Sequence, residues 1–232
     1  MHPLRASGGQ PGGARTSTTP VVFVVDDDVS VRESLELLIR RAGWKPETYS
    51  SAQDFLLRPR DETPSCLVLD VELPDLNGLD LQERVAVDRT DLPIIFITGH
   101  GDIPMSVRAM KAGASEFLTK PFERDVMLNA IRRAIERSRE ALTRASELKT
   151  LRDRYASLTP REKEVLAGVV SGLLNKQVGG ELGMTEATVK AHRGQVMQKM
   201  KADSLADLVR IAARLELPLP SRSSGSPAHP RQ

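Results

Sequence analysis

The chain has very little cysteine and few aromatic side chains. Its 232 residues include 1 Cys, 1 Trp, 2 Tyr and 5 Phe. A single cysteine excludes an internal disulfide and a zinc site built from several thiolates. So few aromatic residues also argue against an array of base-stacking platforms for single-stranded nucleic acid.

Long apolar runs are missing as well. No stretch approaches the roughly 18 apolar residues that span a bilayer, and residues 1–20 lack the apolar segment of a secretory signal. No Gly-rich loop stands between a predicted strand and a helix, so a nucleotide-binding site lacks its main feature. These absences predict a cytoplasmic protein with no membrane partner.

Charge is distributed unevenly along the chain. Residues 21–130 contain 12 Lys/Arg and 20 Asp/Glu, whereas residues 131–232 contain 19 Lys/Arg and 11 Asp/Glu, although the net charge of the whole chain is only +2. Because a basic surface attracts a polyanion and an acidic one does not, this division predicts two domains with different partners. On charge alone, a chance scatter of solvated side chains remains the alternative.

Composition and periodicity divide the chain into five segments. Residues 1–19 and 218–232 are rich in Gly, Ser, Thr or Pro, which predicts disordered tails. Two domains are predicted over 20–137 and 158–217. Residues 138–157 are highly charged, with apolar residues at helical spacing. They predict a helical linker that is either a rigid spacer or a short dimer seam.

The segment 20–137 alternates short apolar runs with amphipathic helices. The predicted strands are Val21–Val25, a less regular one near Trp44–Tyr49, Cys66–Leu69, Pro93–Thr98 and Ser115–Leu118. Continuous apolar strands that alternate with helices indicate a parallel sheet covered on both faces. We therefore expect an α/β domain with a doubly wound, five-stranded parallel sheet, in which Cys66 is a core residue.

From residue 158 onward only helical patterns occur. Thr159 and Pro160 are typical of a helix start, and a short helix over Lys176–Leu182 is followed by a turn at Gly183. Thr185 caps a longer helix, Glu186–Met200, and Ser204 caps the last. A short helix, a Gly-containing turn and a second helix predict a small all-α helix-turn-helix domain.

Acidic side chains follow two of the predicted strands. Asp26, Asp27 and Asp28 follow the first strand, and Asp70 ends the third. Because the carboxyl ends of parallel strands share one edge of the sheet, these carboxylates would converge there and bind Mg²⁺. Thr98 and Lys120 end or follow later strands, so they would meet a phosphoryl group held on Asp70. For a single acidic residue, helix or turn capping is the plainer interpretation.

The stretches VVFVVDDDVSVR, LVLDVELP and FITGHGDIPMSVRAMKAGASEFLTKPF resemble a response-regulator receiver domain with a flavodoxin-like, CheY-like fold. The resemblance implies that Asp70 accepts phosphate from a sensor histidine kinase, with Phe117 as the switch aromatic and Lys120-Pro121 as a cis peptide. It implies Mg²⁺ ligands at Asp26, Asp27, Asp70 and the backbone carbonyl of Glu72. It also implies phosphoryl contacts from Thr98 and Lys120, and leaves Asp28 as a helix cap.

The segment LTPREKEVLAGVVSGLLNKQVGGELGMTEATVKAHRGQVMQKMKADSLADLV resembles the LuxR/FixJ-type helix-turn-helix domain. A recognition helix at Glu186–Met200 would place its outer side chains in the major groove of DNA. The predicted DNA-binding residues are Lys176, Thr188, Lys190, Ala191, Arg193, Gln195 and Lys199. Of these, Lys176 and Lys199 would contact phosphates. Glycines at 179, 180 and 194 depart from the usual pattern of such domains and leave the exact base contacts open.

Together the two resemblances predict a bacterial two-component response regulator of the FixJ/NarL type, which is not an enzyme in the ordinary sense. Phosphorylation of Asp70 would promote a homodimer that binds double-stranded promoter DNA, with RNA polymerase as a further partner and activation as the usual outcome. Two alternatives are an aspartyl-phosphate phosphatase or transferase, which would need a substrate cavity, and a DNA-binding protein whose first domain serves only for docking.

Overall fold

The computed structural model describes residues 18–60, 62–89, 91–100 and 103–218. The chain divides into two compact units between Leu142 and Thr143. The predictions for the two tails concern residues outside the described ranges, apart from 18, 19 and 218.

The first unit is built on a parallel sheet of five strands in the order β2-β1-β3-β4-β5. The strands are β1 (Val21–Val25), β2 (Lys45–Tyr49), β3 (Ser65–Asp70), β4 (Ile94–Thr98) and β5 (Glu116–Thr119). The predicted doubly wound α/β fold is confirmed. Strand order reverses between β1 and β3, which is where such sheets form their sites.

Five helices accompany this sheet: α1 (Val29–Arg41), α2 (Ala52–Leu56), α3 (Gly78–Asp88), α4 (Ile103–Lys111) and α5 (Arg124–Ala156). Polar residues fix three of the helix starts, because the side chains of Asp28, Ser51 and Asn77 each accept a hydrogen bond from a backbone N–H of the first turn. Asp28 therefore caps α1, as predicted.

The sheet has an apolar core on each face, since successive strand residues point to opposite sides. Along β1, Val22 and Val24 pack with α1 and the first part of α5, whereas Val21, Phe23 and Val25 pack on the side of α2, α3 and α4. Cys66 is fully buried in β3, and burial raises the pKa of its thiol. It is thus a core residue, as predicted.

Helix α5 runs without a break over 33 residues. Met127, Ile131 and Ile135 belong to the core of the first unit, and Leu151 belongs to that of the second. The predicted linker 138–157 is therefore the C-terminal part of one long helix. The exact domain limits remain predictions.

The second unit adds helices α6 (Pro160–Val170), α7 (Asn175–Leu182), α8 (Glu186–Met200) and α9 (Leu205–Arg214). Thr159 and Glu162 form a capping box at the start of α6, and Thr185 and Ser204 cap α8 and α9. Gly183 ends α7 with a φ of 65°, a left-handed conformation that favours glycine. This turn completes the predicted helix-turn-helix.

Among the described residues, no helix has the length and apolar character needed to cross a membrane.

Candidate functional site

Four strand ends bring polar side chains to the carboxyl edge of the sheet. Asp26 directly follows β1, Asp70 is the last residue of β3, Thr98 is the last of β4, and Lys120 follows β5. Because the strands are parallel, these positions share one edge, as the sequence predicts. Strands β1, β3 and β4 are buried and hold the backbone at their ends, whereas β5, which precedes Lys120, is partly exposed.

Three carboxylates converge at this edge. One oxygen from each of Asp26, Asp27 and Asp70 can be chosen so that all lie within 4.8 Å of one another. Asp26 is fully buried and Asp70 is 5% exposed, whereas Asp27 faces solvent. A hard cation such as Mg²⁺ binds carboxylate oxygens, and water molecules complete its coordination shell on the side that faces solvent. The donor set therefore fits Mg²⁺.

Lys120 connects the two buried carboxylates. Its Nζ lies 2.7 Å from Asp26 Oδ2 and 2.6 Å from Asp70 Oδ2. Burial opposes the charge on Lys120, but the hydrogen bonds to Asp26 and Asp70 outweigh it and raise the pKa of the ammonium. Burial raises the pKa of Asp26 despite the opposing bond from Lys120. The lysine thus holds part of the compensating charge that the carboxylates require.

The other oxygen of each buried carboxylate is fixed by backbone. The N–H of Asp28 donates to Asp26 Oδ1 at 2.9 Å, and the N–H of Glu72 donates to Asp70 Oδ1 at 2.9 Å. Arg32, which the sequence analysis did not single out, donates from Nη1 to the Asp26 carbonyl at 2.6 Å. The one sequence feature that could have pointed to Arg32 is its position one turn into α1. The carboxylates of Asp26 and Asp70 are therefore each held by Lys120 at one oxygen and by a backbone N–H at the other.

The predicted switch residues border this cluster. Thr98 is fully buried, and its hydroxyl accepts a hydrogen bond from the N–H of His100 at 3.1 Å. Phe117 is half-buried, with its ring centroid 6.3 Å from that of Phe96. The exposed His100 lies 3.6 Å from Glu72, and Lys120-Pro121 is a cis peptide as predicted.

A glycine lies against the backbone of Asp70. A Cβ atom on Gly78 would be 2.5 Å from the Asp70 carbonyl oxygen, and the Gly78 N–H donates to Val71 at 2.9 Å. The start of α3 therefore packs directly on the strand that carries Asp70, and a side chain at position 78 would displace it.

The second candidate site is the outer side of α8. Val189, Val196 and Met200 are buried in the core of the second unit, which turns the opposite face outward. Of the predicted DNA-binding residues, the structure leaves exposed Thr188, Lys190, Ala191, Gln195 and, on α7, Lys176.

Arg193 and Lys199 have partners within the unit. Arg193 is half-buried and donates to Asn175 at 3.3 Å. Lys199 lies 2.7 Å from Glu162, and hydrogen bonds from Lys199 and from the Thr159 backbone lower the pKa of the Glu162 carboxyl. Lys199 therefore joins α8 to the capping box of α6, a role that the sequence analysis did not foresee.

Comparison with known proteins assigns a domain family to each part of the chain. Residues 22–132 match the response regulator receiver domain, and residues 156–212 match the luxR family of bacterial regulatory proteins. The chain is 49% identical over 207 residues to Nodulation protein W of Bradyrhizobium diazoefficiens, covering 89% of this chain and 91% of that protein. The chain belongs to the two-component response regulators of the FixJ/NarL type.

Other relatives cover a similar extent of this response regulator. It is 39% identical over 193 residues to the transcriptional regulatory protein FixJ of the same organism, covering 83% of this chain and 94% of FixJ. The structure of the response regulator StyR matches 85% of this chain and 100% of its own, with a TM-score of 0.76 and 48% identity. In this response regulator the receiver domain therefore precedes the LuxR-type DNA-binding domain in one chain. A receiver implies a histidine kinase partner, and such regulators are not enzymes in the ordinary sense.

Removing the ammonium of Lys120 should increase the response of the regulator to Mg²⁺. In Lys120→Met the carboxylates lose their internal counter-charge, which we expect to lower the melting temperature in EDTA. Added Mg²⁺ should then raise it by more than in the wild type, since ligand binding stabilises the folded state. The measurement is a thermal melt of the full chain across a Mg²⁺ titration.

Lys111→Met is the matched control, because Lys111 is exposed at the end of α4. It should melt and respond to Mg²⁺ as the wild type does. An equal Mg²⁺ response in Lys120→Met and wild type would contradict the assignment of Lys120 as the counter-charge of this cluster.

Proposed function

We propose that this response regulator accepts a phosphoryl group on Asp70 from a sensor histidine kinase, in a Mg²⁺-dependent reaction, and in that state binds promoter DNA as a dimer to activate transcription. The observation that carries the proposal is the bridge from Lys120 Nζ to Asp26 and Asp70. This bridge supports the proposal because it joins the buried carboxylates of Asp70 and Asp26 to one cation at the edge of the sheet.

The chemistry is a transfer between two side chains. A carboxylate oxygen of Asp70 attacks the phosphorus of a phosphohistidine, an O–P bond forms, and the P–N bond breaks. The electron pair of the broken bond returns to the imidazole nitrogen. The product is an acyl phosphate on Asp70, whose phosphoryl oxygens would accept hydrogen bonds from the Lys120 ammonium.

Asp26, Asp27, Asp70 and the Glu72 carbonyl would hold the cation. Bound Mg²⁺ supplies positive charge that offsets the repulsion between the carboxylates and the incoming phosphoryl group. The backbone N–H groups of Asp28 and Glu72 keep the carboxylates of Asp26 and Asp70 oriented. The chain itself therefore contributes orientation and one fixed cation.

The switch would be a change in the Thr98 hydroxyl. In this structure that hydroxyl accepts a bond from the His100 backbone, so turning toward a phosphoryl oxygen would release the loop before α4. Phe117 would then move toward the space left by Thr98. The face of α4 carries exposed Ile103, Val107 and Met110, which suit a contact with a second copy. Relief of an inhibitory contact between the two units is a compatible route to the same outcome.

DNA contacts would come from α7 and α8. Lys190, Arg193 and Gln195 would read base edges or phosphates, Thr188 and Ala191 would line the groove, and Lys176 would contact phosphate. Lys199 already donates to both carboxylate oxygens of Glu162, so a phosphate contact would share its ammonium with that pair. When the second units of two copies of the chain bind one DNA molecule, affinity rises through effective concentration. RNA polymerase is the further partner that activation requires.

The proposal is tested by DNA binding before and after phosphorylation. Double-stranded sites would first be selected from random DNA with full-length protein treated with phosphoramidate and Mg²⁺. We expect this treatment to convert monomer to dimer in size-exclusion chromatography and to tighten binding at least about tenfold, as coupling of two sites allows. EDTA in place of Mg²⁺ should abolish both effects.

Lys190→Ala identifies the DNA-facing surface in the same assay. We expect weaker binding and a shallower dependence on salt, by about one unit in the log–log slope for one phosphate contact. Selected DNA that binds equally with and without phosphodonor would contradict the switch and leave the first unit as a docking domain. Unchanged affinity together with an unchanged salt slope in Lys190→Ala would remove that residue from the interface.

A further inference from the structure

Two arginine side chains lie over a buried aromatic ring on the face of the sheet that α2, α3 and α4 cover. Arg58 follows α2 and Arg89 follows α3, on segments that lead into β3 and β4. The Arg58 guanidinium carbon is 3.8 Å from the ring centroid of fully buried Phe23. That of Arg89 is 5.7 Å from the same ring and 5.8 Å from Phe55.

These guanidinium groups have buried donors without partners. Arg58 Nη1 and both Nε and Nη2 of Arg89 make no hydrogen bond within the part of the chain that the structure describes. The side chain of Arg58 is only 10% exposed, and its Nε lies 3.3 Å from a carboxylate oxygen of Glu47. Buried charged donors that lack acceptors destabilise a fold. An acceptor at this place would satisfy three of them.

The neighbouring carboxylates are already shared. Glu47 also accepts from Lys45 at 2.8 Å, and Asp91 accepts from Arg60 at 2.9 Å through Oδ1. Burial lowers the pKa of Arg89, and repulsion from Arg58 lowers it further. The charges of Arg58 and Arg89 therefore lie close enough to repel each other, and an anion bound between them would relieve that repulsion.

A surface cavity leads to Arg58. It has a volume of about 480 Å³, and its wall includes Arg58, Arg60 and Tyr49 together with the carboxylates Glu47 and Asp54. The wall includes Arg58 but not Arg89, so a small anion can approach Arg58 from solvent and would meet the Arg89 donors only beyond this wall. The two carboxylates would oppose a large, highly charged ligand more than a compact one.

We propose that Arg58 and Arg89 form a binding site for a small oxyanion of the phosphate type. Its oxygens would accept hydrogen bonds from Arg58 Nη1 and from Nε and Nη2 of Arg89. Guanidinium groups suit this role because their forked donors match tetrahedral and planar oxyanions. Phe23 and Phe55 would hold both groups in place by stacking. The site is separate from the phosphoryl pocket and does not depend on the proposed function.

The test is a thermal melt of the full chain in which sodium phosphate replaces sodium chloride at constant ionic strength. The wild type should gain a saturable increase in melting temperature, as expected for a ligand of the folded state. In Arg89→Met we expect phosphate affinity to fall at least about tenfold, because two charge-assisted donors are lost. Arg58→Lys keeps the charge but loses the fork, so it should weaken binding even if Arg89→Met fails to fold.

Two controls define where phosphate binds. Arg84→Met removes an exposed arginine of α3 and should respond to phosphate as the wild type does. Asp70→Asn should also keep the response, because Asp70 is not part of the proposed site. The proposal is overturned by no saturable response in the wild type, by an equal response in Arg58→Lys, or by loss of the response in Asp70→Asn.

An NMR measurement distinguishes anion binding from internal pairing. Asp91 Oδ2 is itself buried without a partner, so Arg89 could turn to it in solution. The Arg89 Nε–H resonance should shift on addition of phosphate if the site is as proposed. A resonance that is hydrogen-bonded before phosphate is added and does not change afterwards would assign Asp91 as its partner and overturn the proposal.

Discussion

Asp70→Asn should lose all phosphorylation by phosphoramidate or by a phosphorylated kinase, while the receiver stays folded. A carboxamide occupies nearly the same volume and can still accept from Glu72 N–H, which donates to Asp70 at 2.9 Å in the wild type. It has no anionic oxygen to attack phosphorus. Labelling, measured by phosphate-affinity electrophoresis and located by mass spectrometry, should fall to background. Phosphodonor-dependent dimerisation and DNA binding should disappear with it.

Asp28→Asn is the matched control for this prediction. Asp28 lies two residues from Asp26, but its side chain caps α1 by accepting from the backbone N–H and hydroxyl of Ser30. Asn caps helices about as well as Asp, so labelling and stability should both be retained. Labelling of Asp70→Asn at the wild-type level would place the acceptor on another residue of the cluster, such as Asp27, and refute the proposed role of Asp70.

Gly179→Ala should strongly destabilise the second unit. A Cβ at this position would be 2.6 Å from the carbonyl oxygen of Met184, and backbone cannot yield as a flexible side chain can. Gly179 also accepts from the Met184 N–H at 2.8 Å, so the contact belongs to the turn that sets α7 against α8. We expect a loss of about 1–3 kcal/mol, typical of overpacking, together with weaker DNA binding.

Gly180→Ala is the matched control in the next position. A Cβ there would meet no atom within 4 Å. Ala exceeds Gly in helix propensity by about 1 kcal/mol, so this variant should be more stable than the wild type. Alanine is therefore expected to lower stability at position 179 and to raise it at position 180, although the two residues are adjacent in α7.

Urea denaturation of the full chain can separate the two units. The single tryptophan, Trp44, packs with the core of the first unit, so its fluorescence reports that unit alone. Hydrogen exchange of peptides from α7 and α8 reports the second. Gly179→Ala should increase exchange in α7 and α8 without altering the fluorescence transition. Similar exchange in both variants would show that the Met184 contact does not constrain the turn.

Much of the receiver could be predicted because its signals are local. Strands β1, β3 and β4 are short apolar runs, whereas β2 is not, and the parallel arrangement follows from the alternation of strands with helices. Once the sheet is parallel, the ends of β1, β3 and β4 must share an edge, so Asp26, Asp70 and Thr98 could be assigned to one pocket. Lys120 was assigned in the same way, and its two ion pairs agree with that prediction.

The contacts made by single side chains could not be predicted in the same way. Lys199 is one of two lysines in α8, and its pairing with Glu162 depends on how α8 packs against α6. Gly179 and Gly180 are indistinguishable in sequence, yet only one lies against a carbonyl oxygen. Arg58 and Arg89 are 31 positions apart and meet only because α2 and α3 cover the same face of the sheet.

The sequence by itself therefore determined that a parallel α/β fold precedes a helical one, and that Asp26, Asp70 and Thr98 end or follow their strands. Periodicity and capping act over a few residues, and they can be read along the chain. Tertiary structure alone decided which oxygen of Asp26 and of Asp70 meets Lys120 and which meets backbone, and which arginines remain without acceptors. These outcomes depend on which segments, far apart in sequence, come into contact when the core of each unit packs.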